Sequence, residues 1–317
     1  MSRIKVFITG ATGFVGRHLM NALHSSEYVL SGTSYPDPPH PSENHIFFLD
    51  LRSEREVYET LKFVRPHWIF HLAAVSNVRH SWEHRRETME TNIMGTFSLF
   101  EAVKKFAPEA RILYISSSDI YGSPPGGESA GRKLFVEDDP FHVTSPYALS
   151  KIGGELLGGF YGRVEGLDIV IARPFPHTGP GQSPAFVCSD WARQVIQIER
   201  GKAEPALRVG NVDIWRDFCD VRDTARAYVL LMQKGRRGEV YNICRGEGTS
   251  LRRILEIYLS LAAKAVTVEQ DPARLRQVDI PFLVGDNRKL KTETSWEPRI
   301  PLEQTLRDLL DYWRRRP

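Results

Sequence analysis

Cysteine is scarce in this chain: 3 in 317 residues, Cys188, Cys219 and Cys244, with no CxxC or Cys/His pairing. That pattern excludes a disulfide framework and a structural zinc, and predicts three buried thiols. No apolar run reaches the roughly 18 residues needed to span a bilayer. The opening MSRIKVFITG also lacks a basic region followed by a long apolar stretch, so the expected setting is the cytoplasm, with no membrane partner. An excess of one charge sign is missing too. Lys plus Arg number 42 against 39 Asp plus Glu, a net charge of +3, which is too small to predict a nucleic-acid partner. His80 and His84 stand four apart, a spacing seen in metal sites, but no third ligand accompanies them and no metal is expected.

What is present is an ordinary globular composition, 41% hydrophobic and 26% charged, long enough for one large α/β unit or two smaller domains. Short β-branched runs at 4–8, 28–32, 45–49, 68–72, 111–116 and 167–173 read as strands. Helical patterns near 14–24, 53–64, 84–107 and 146–164 alternate with them. Such alternation predicts an α/β fold with a Rossmann-type doubly wound parallel sheet, its ligands at the carboxyl ends of the strands. Two stretches, 36–41 and 123–144, read as loops. Beyond Pro174 the rhythm changes to loops, single strands such as 240–243, and helices near 186–200, 221–233, 250–263 and 301–314. The expected division is a dinucleotide-binding domain at 1–174, regaining a segment near 217–245, and a smaller substrate-binding α/β cap at 175–317.

Gly10, Gly13 and Gly16 fall between the first strand and the first helix. There, missing side chains permit a tight turn and let backbone N–H groups reach a pyrophosphate, with the helix dipole behind them. The second strand ends in Gly32-Thr33-Ser34-Tyr35, without the acid that binds the adenosine ribose of NAD(H). With Arg17 nearby this favours NADP(H), NAD(H) being the alternative and Asp37 an acid able to swing in. Asp50 and Leu51 follow the third strand as an adenine clamp, although an Asp there equally caps a helix. Leu72, Ala73 and Ala74 end the fourth strand with residues that let the chain pass close to a cofactor.

Tyr147 and Lys151 are four apart in a helical pattern and so share a face. A neighbouring ammonium lowers a phenol's pKa by stabilising phenolate, and Ser117 at the end of the fifth strand is placed to hydrogen-bond a reacting oxygen. A Tyr-x-x-x-Lys pair alone is common in helices; its meaning comes from the glycine loop and the serine.

With these motifs the sequence resembles the extended short-chain dehydrogenase/reductase family over essentially its whole length. The matching stretches are ITGATGFVGRHL (8–19), HLAA (71–74), TNIMGT (91–96), YISSSDIYG (114–122), SPYALSK (145–151) and ARPF (172–175). HTGPGQSPAFV (177–187), WRDFCDVRD (215–223), DPARLRQVDIP (271–281) and GDNRKL (285–290) are similar to its GDP-sugar branch, where reductases of GDP-4-keto-6-deoxy-mannose stand beside GDP-mannose 4,6-dehydratases. The resemblance implies NADPH-dependent reduction of a GDP-linked 4-keto sugar to GDP-D-rhamnose, the alternatives being 4,6-dehydration or 4-epimerisation. It implies Tyr147 as proton donor, Lys151 on the cofactor ribose and Ser117 orienting the oxygen. It adds Thr12, Phe14, Val15, Pro174 and His177 to the cofactor site, and Ser76, Ser118, Phe186, Val187, Arg216 and Arg276 to the sugar-nucleotide site, the two arginines on its diphosphate. Asp119 stands where the dehydratases have Glu, one methylene longer, which tips the choice to the reductase. Pro176 replaces the family's Asn, removing one contact to the substrate. The long helices 84–107 and 146–164 match the pair that forms a homodimer in this family.

Overall fold

The computed structural model describes residues 3–43, 45–123, 133–275 and 279–316. Arg276 and part of the loop expected at 123–144 lie outside them. Seven strands make one parallel sheet: β1 (Ile4–Thr9), β2 (Tyr28–Ser34), β3 (Ile46–Phe48), β4 (Trp68–His71), β5 (Arg111–Ile115), β6 (Asp168–Pro174) and the late segment Val240–Ile243. Their order is Val240–Ile243, β6, β5, β4, β1, β2, β3. The chain therefore starts in the middle, builds outward to β3, and returns to lay β4 on the other side of β1. The reversal opens a crevice beyond the ends of β1 and β4.

Alternate side chains of each strand serve opposite faces. Val6, Ile8, Leu113, Ile115, Val170 and Ala172 pack with α1 (Phe14–Ala22) and, from far along the chain, α8 (Val221–Lys234). Phe7, Ile69, Ile112, Tyr114, Ile169 and Ile171 pack on the other face with α2 (Glu54–Val64), α5 (Gly95–Phe106) and α6 (Pro146–Arg163). A separate core joins α7 (Val187–Glu199), α9 (Leu251–Leu261) and α11 (Leu302–Arg314). Among the described residues no helix is long and apolar enough to cross a membrane. All three cysteines are buried and free.

The helix expected near 84–107 is present over 85–106, with a π turn inside it. α3 (Val78–Glu83) precedes it, His84 breaks the chain's helical path, and α4 (Arg85–Met89) runs into a π-helical turn, Glu90–Met94, before α5 begins. Apolar spacing does not reveal such a turn. Its cause is polar: buried Asn92 accepts from the Val75 N–H (2.8 Å), donates to the Val75 carbonyl (3.0 Å) and donates to Ser150 Oγ (2.8 Å). A wider turn holding a fully bonded polar side chain is a common companion of functional sites.

Candidate active site

The glycine loop closes the gap between β1 and α1. Gly10 adopts φ +70°, and a Cβ on Gly16 would stand 2.2 Å from the Gly10 carbonyl oxygen and 2.6 Å from that of Ala11, so no larger residue fits there. Gly13 is the N-cap of α1 and offers no side-chain cap. The first N–H groups of the helix thus face the crevice with the positive end of its dipole, a cradle that fits a pyrophosphate. Thr33 Oγ1 accepts the Gly10 N–H (3.0 Å), Thr12 Oγ1 bonds Ser34 Oγ (2.8 Å), and Ser34 donates to the Asp37 carbonyl (2.6 Å). The hydroxyls at the end of β2 therefore hold the loop in shape. Ala73 passes alongside: its Cα and N would lie 3.1 Å from a Cβ on Gly10.

Tyr147, Lys151 and Ser117 converge at the ends of β5 and α6. Ser145 caps α6 by accepting the Ala148 N–H (3.0 Å), and Ser81 of α3 accepts that of Tyr147 (3.2 Å), so the first turn of α6 is anchored on both sides. Ser117 Oγ accepts the Asp119 N–H (3.1 Å) and also hydrogen-bonds the Tyr147 phenol. Burial, with the Asp119 charge added, lifts that phenol well above its ordinary value, the Ser117 bond opposing only in part. Burial brings the Lys151 ammonium down to about 8, against the pull of the Glu155 charge. Lys151 Nζ donates to the Ile115 carbonyl (2.8 Å) and sits 6.0 Å from the centre of the Tyr147 ring. In this arrangement the ammonium is bound to backbone, and burial is the largest influence on the phenol. At neutral pH Tyr147 carries its proton.

His71 ties this floor together. Thr96 Oγ1 donates to the Asn92 carbonyl (2.7 Å), so it accepts from His71 Nε2–H (2.9 Å), leaving Nδ1 to accept from Thr9 Oγ1 (2.8 Å). Burial, with the Lys151 charge adding to it, drops the imidazole to about 3, which agrees with this neutral tautomer. Beside the phenol, Asp119 and Arg216 line one small pocket with Val78, Trp82 and Ile280. The buried Arg216 guanidinium donates to the carbonyls of Ile280 (2.6 Å) and Trp215 (2.8 Å).

The family model described as GDP-mannose 4,6 dehydratase matches residues 7–309. The chain belongs to that family. A GDP-6-deoxy-D-mannose reductase of Pseudomonas aeruginosa is 34% identical over 98% of both chains. Among solved structures, RMD from Pseudomonas aeruginosa complexed with NADPH superposes with a TM-score of 0.87 at 32% identity, covering 99% of this chain and 100% of that one. A UDP-glucose 4-epimerase of Thermus thermophilus in complex with NAD gives 0.87 at 27%, with the same coverage.

In this member of the GDP-mannose 4,6 dehydratase family the remaining expected residues fall in three places. Thr12, Phe14, Val15 and His177 gather at the start of α1, where the His177 ring stacks on Phe14 with centroids 6.2 Å apart and donates from Nδ1 to the Phe175 carbonyl (3.0 Å). Leu72 and Ala74 are half-buried at the end of β4, Ser76 is exposed, and Ser118 is buried beside Ser117. Phe186 caps α7 and Val187 begins it, while Pro174 pairs with Ile243 and the Pro176 carbonyl accepts the Cys219 N–H (2.9 Å). Asp50 is gripped by Arg52 through Nε and Nη2 at 3.0 and 2.7 Å, and Leu51 is buried against Gly95. Sequence reading missed Ser81, Asn92 and Ser150 as supports of α6, although TNIMGT contains one of them. It also missed Arg52, whose Nη2 donates to Tyr35 Oη at the end of β2 (2.8 Å). Finally, the expectation that His80 and His84 lack a third ligand is corrected: Glu87, three residues beyond His84, has its Oε2 within 3.3 Å of His80 Nε2.

Proposed function

We propose that this protein reduces the C4 ketone of GDP-4-keto-6-deoxy-D-mannose to the alcohol, GDP-D-rhamnose, with NADPH. The observation that carries this reading is the convergence of Tyr147, Lys151 and Ser117 at the ends of β5 and α6, with Lys151 on the Ile115 carbonyl and 6.0 Å from the Tyr147 ring. A ketone being reduced needs a proton as well as a hydride, and a phenol, protonated at neutral pH, begins the reaction in the donating form. NADPH, when bound, supplies the hydride. Ser117 polarises and positions the ketone oxygen, Tyr147 gives it the proton, and Lys151 bonds the cofactor ribose. Arg216 meets the diphosphate of the sugar nucleotide, with Arg276 as its partner in that role. Asp119, shorter than glutamate, binds a sugar hydroxyl and leaves C5 untouched. The likeness to a GDP-6-deoxy-D-mannose reductase supports both the guanine nucleotide and the sugar.

Preference for NADP(H) over NAD(H) is supported by the absence of an acid at the end of β2 and by the Arg52 guanidinium there. In this reading residues 1–174 with 217–245 hold the cofactor, and 175–317 supply most of the sugar-nucleotide contacts. The buried free thiols suit the cytoplasm, where they stay reduced. The test is an absorbance assay. NADPH is expected to be consumed only when the keto sugar is present, with NADH poorer. GDP-mannose alone should give no change in either nucleotide. Disappearance of GDP-mannose with no net change in cofactor would identify a 4,6-dehydratase and end the proposal.

The assembly proposed is a homodimer joined through α5 and α6. Their outward face exposes Leu149, Leu156 and Phe160 from α6, Val164 at its C-cap, and Phe97 from α5, with Met94 just before it. Leu156 and Val164 are 64% and 69% exposed, a row of apolar side chains of the kind that interfaces cover. Light scattering is expected to give twice the 36.1 kDa chain mass, and Leu156→Asp to return it to one. A wild-type monomer at working concentration would refute the dimer.

A further inference from the structure

Away from the crevice, α3 and α4 assemble three groups that the proposed reaction does not use. His84 adopts φ −122° and ψ 56°, outside the helical region, and swings α4 away from the axis of α3. His80, His84 and Glu87 meet across this break. His80 Nε2 and His84 Nδ1 lie 3.3 and 3.9 Å from the same carboxylate oxygen, Glu87 Oε2. The donor atoms of all three residues lie within 4.8 Å of one another. The two imidazoles are stacked, with ring centroids 4.1 Å apart and an interplanar angle of 18°.

In tetrahedral zinc sites, bonds of about 2.0–2.2 Å place neighbouring donors about 3.3–3.5 Å apart. The His80/Glu87 separation already meets that spacing. The other two require only small rotations of side chains that are 42% to 51% exposed. A plain ion pair needs one imidazole on the carboxylate. Two stacked rings aiming nitrogens at one oxygen form a concave donor set, and two nitrogens with one oxygen suit a borderline transition ion over Ca²⁺ or Mg²⁺.

We infer that His80, His84 and Glu87 form a binding site for a divalent transition ion of the zinc type, with water completing its coordination. Such an ion bridges α3 and α4 across their break. α3 carries Val78 and Trp82 on the wall of the Asp119/Arg216 pocket and Ser81 beneath Tyr147. Occupancy therefore fixes the helix on which the active site leans.

Calorimetric titration of the full-length protein with Zn²⁺ alone tests this, and it needs neither cofactor nor sugar nucleotide. The expected result is one equivalent bound in the low-micromolar range. His84→Ala and Glu87→Ala should each weaken binding at least about tenfold, and both should keep the wild-type melting temperature without metal, because the side chains are exposed. At a hundredfold excess over the dissociation constant, zinc should raise the wild-type melting temperature by about 4 °C and leave both variants unmoved. No binding, or binding that survives either substitution undiminished, would overturn the site.

Discussion

Tyr147→Phe is expected to lower kcat about 10³-fold while leaving NADPH affinity within about threefold of wild type. The substitution removes only a hydroxyl. The ring stays in its pocket, the Ser145 and Ser81 bonds to the first turn of α6 involve backbone N–H groups and are untouched, and Lys151 remains on the Ile115 carbonyl. What is lost is the proton donor itself. Ser117 remains but, as an alcohol whose proton is far less acidic than a phenol's, it does not replace it. Steady-state rates with the keto sugar, paired with a fluorescence titration of NADPH, separate the two effects. Activity within tenfold of wild type would show that another group delivers the proton.

Gly16→Ala is the second large effect. Its new methyl group would sit 2.2 Å from the Gly10 carbonyl oxygen and 2.6 Å from that of Ala11, both backbone atoms in a loop pinned by Thr33. The loop must shift, at a cost of about 1–3 kcal/mol in stability. The cradle at the start of α1 shifts with it. NADPH binding should weaken about 100-fold, equivalent to about 2.8 kcal/mol, and turnover at ordinary cofactor concentrations should nearly vanish. Gly201→Ala is the comparison for a substitution elsewhere: nothing lies within 4 Å of its Cβ, so its cost comes from its positive φ alone and leaves the cofactor loop untouched. Retention of wild-type NADPH affinity by Gly16→Ala would refute the assignment of this loop to the cofactor.

The first six strands were legible because each is a short apolar run bounded by polar or turn residues, and a sheet buried on both faces demands such runs. The glycine loop was legible because the steric demand falls on particular positions: Gly16 is where a Cβ collides. Other features depend on contacts between distant segments, and local pattern carries no record of them. The π turn at Glu90–Met94 answers to the buried pairing of Asn92 with Val75 and Ser150. The state of Tyr147 answers to burial and to the Asp119 charge, both set by the fold around it. Glu87 meets two histidines, the three spaced four and three residues apart in sequence, through contacts with its carboxylate. Each of these is a polar group satisfied across space, whereas apolar periodicity reports only which face is hidden.

The placement of Val240–Ile243 beside β6 has a consequence for synthesis on the ribosome. β6 is complete at Pro174, yet its neighbour in the sheet is made only after residues 175–239 have been translated. Until then the nascent chain presents β6 as a bare edge, with a row of backbone groups open to pairing with any other strand. α8, which covers one face of the same sheet, also arrives within that interval. The seven-stranded sheet is therefore complete only when about three-quarters of the polypeptide has left the exit tunnel, and a chain released before Val240 carries the β6 edge uncovered.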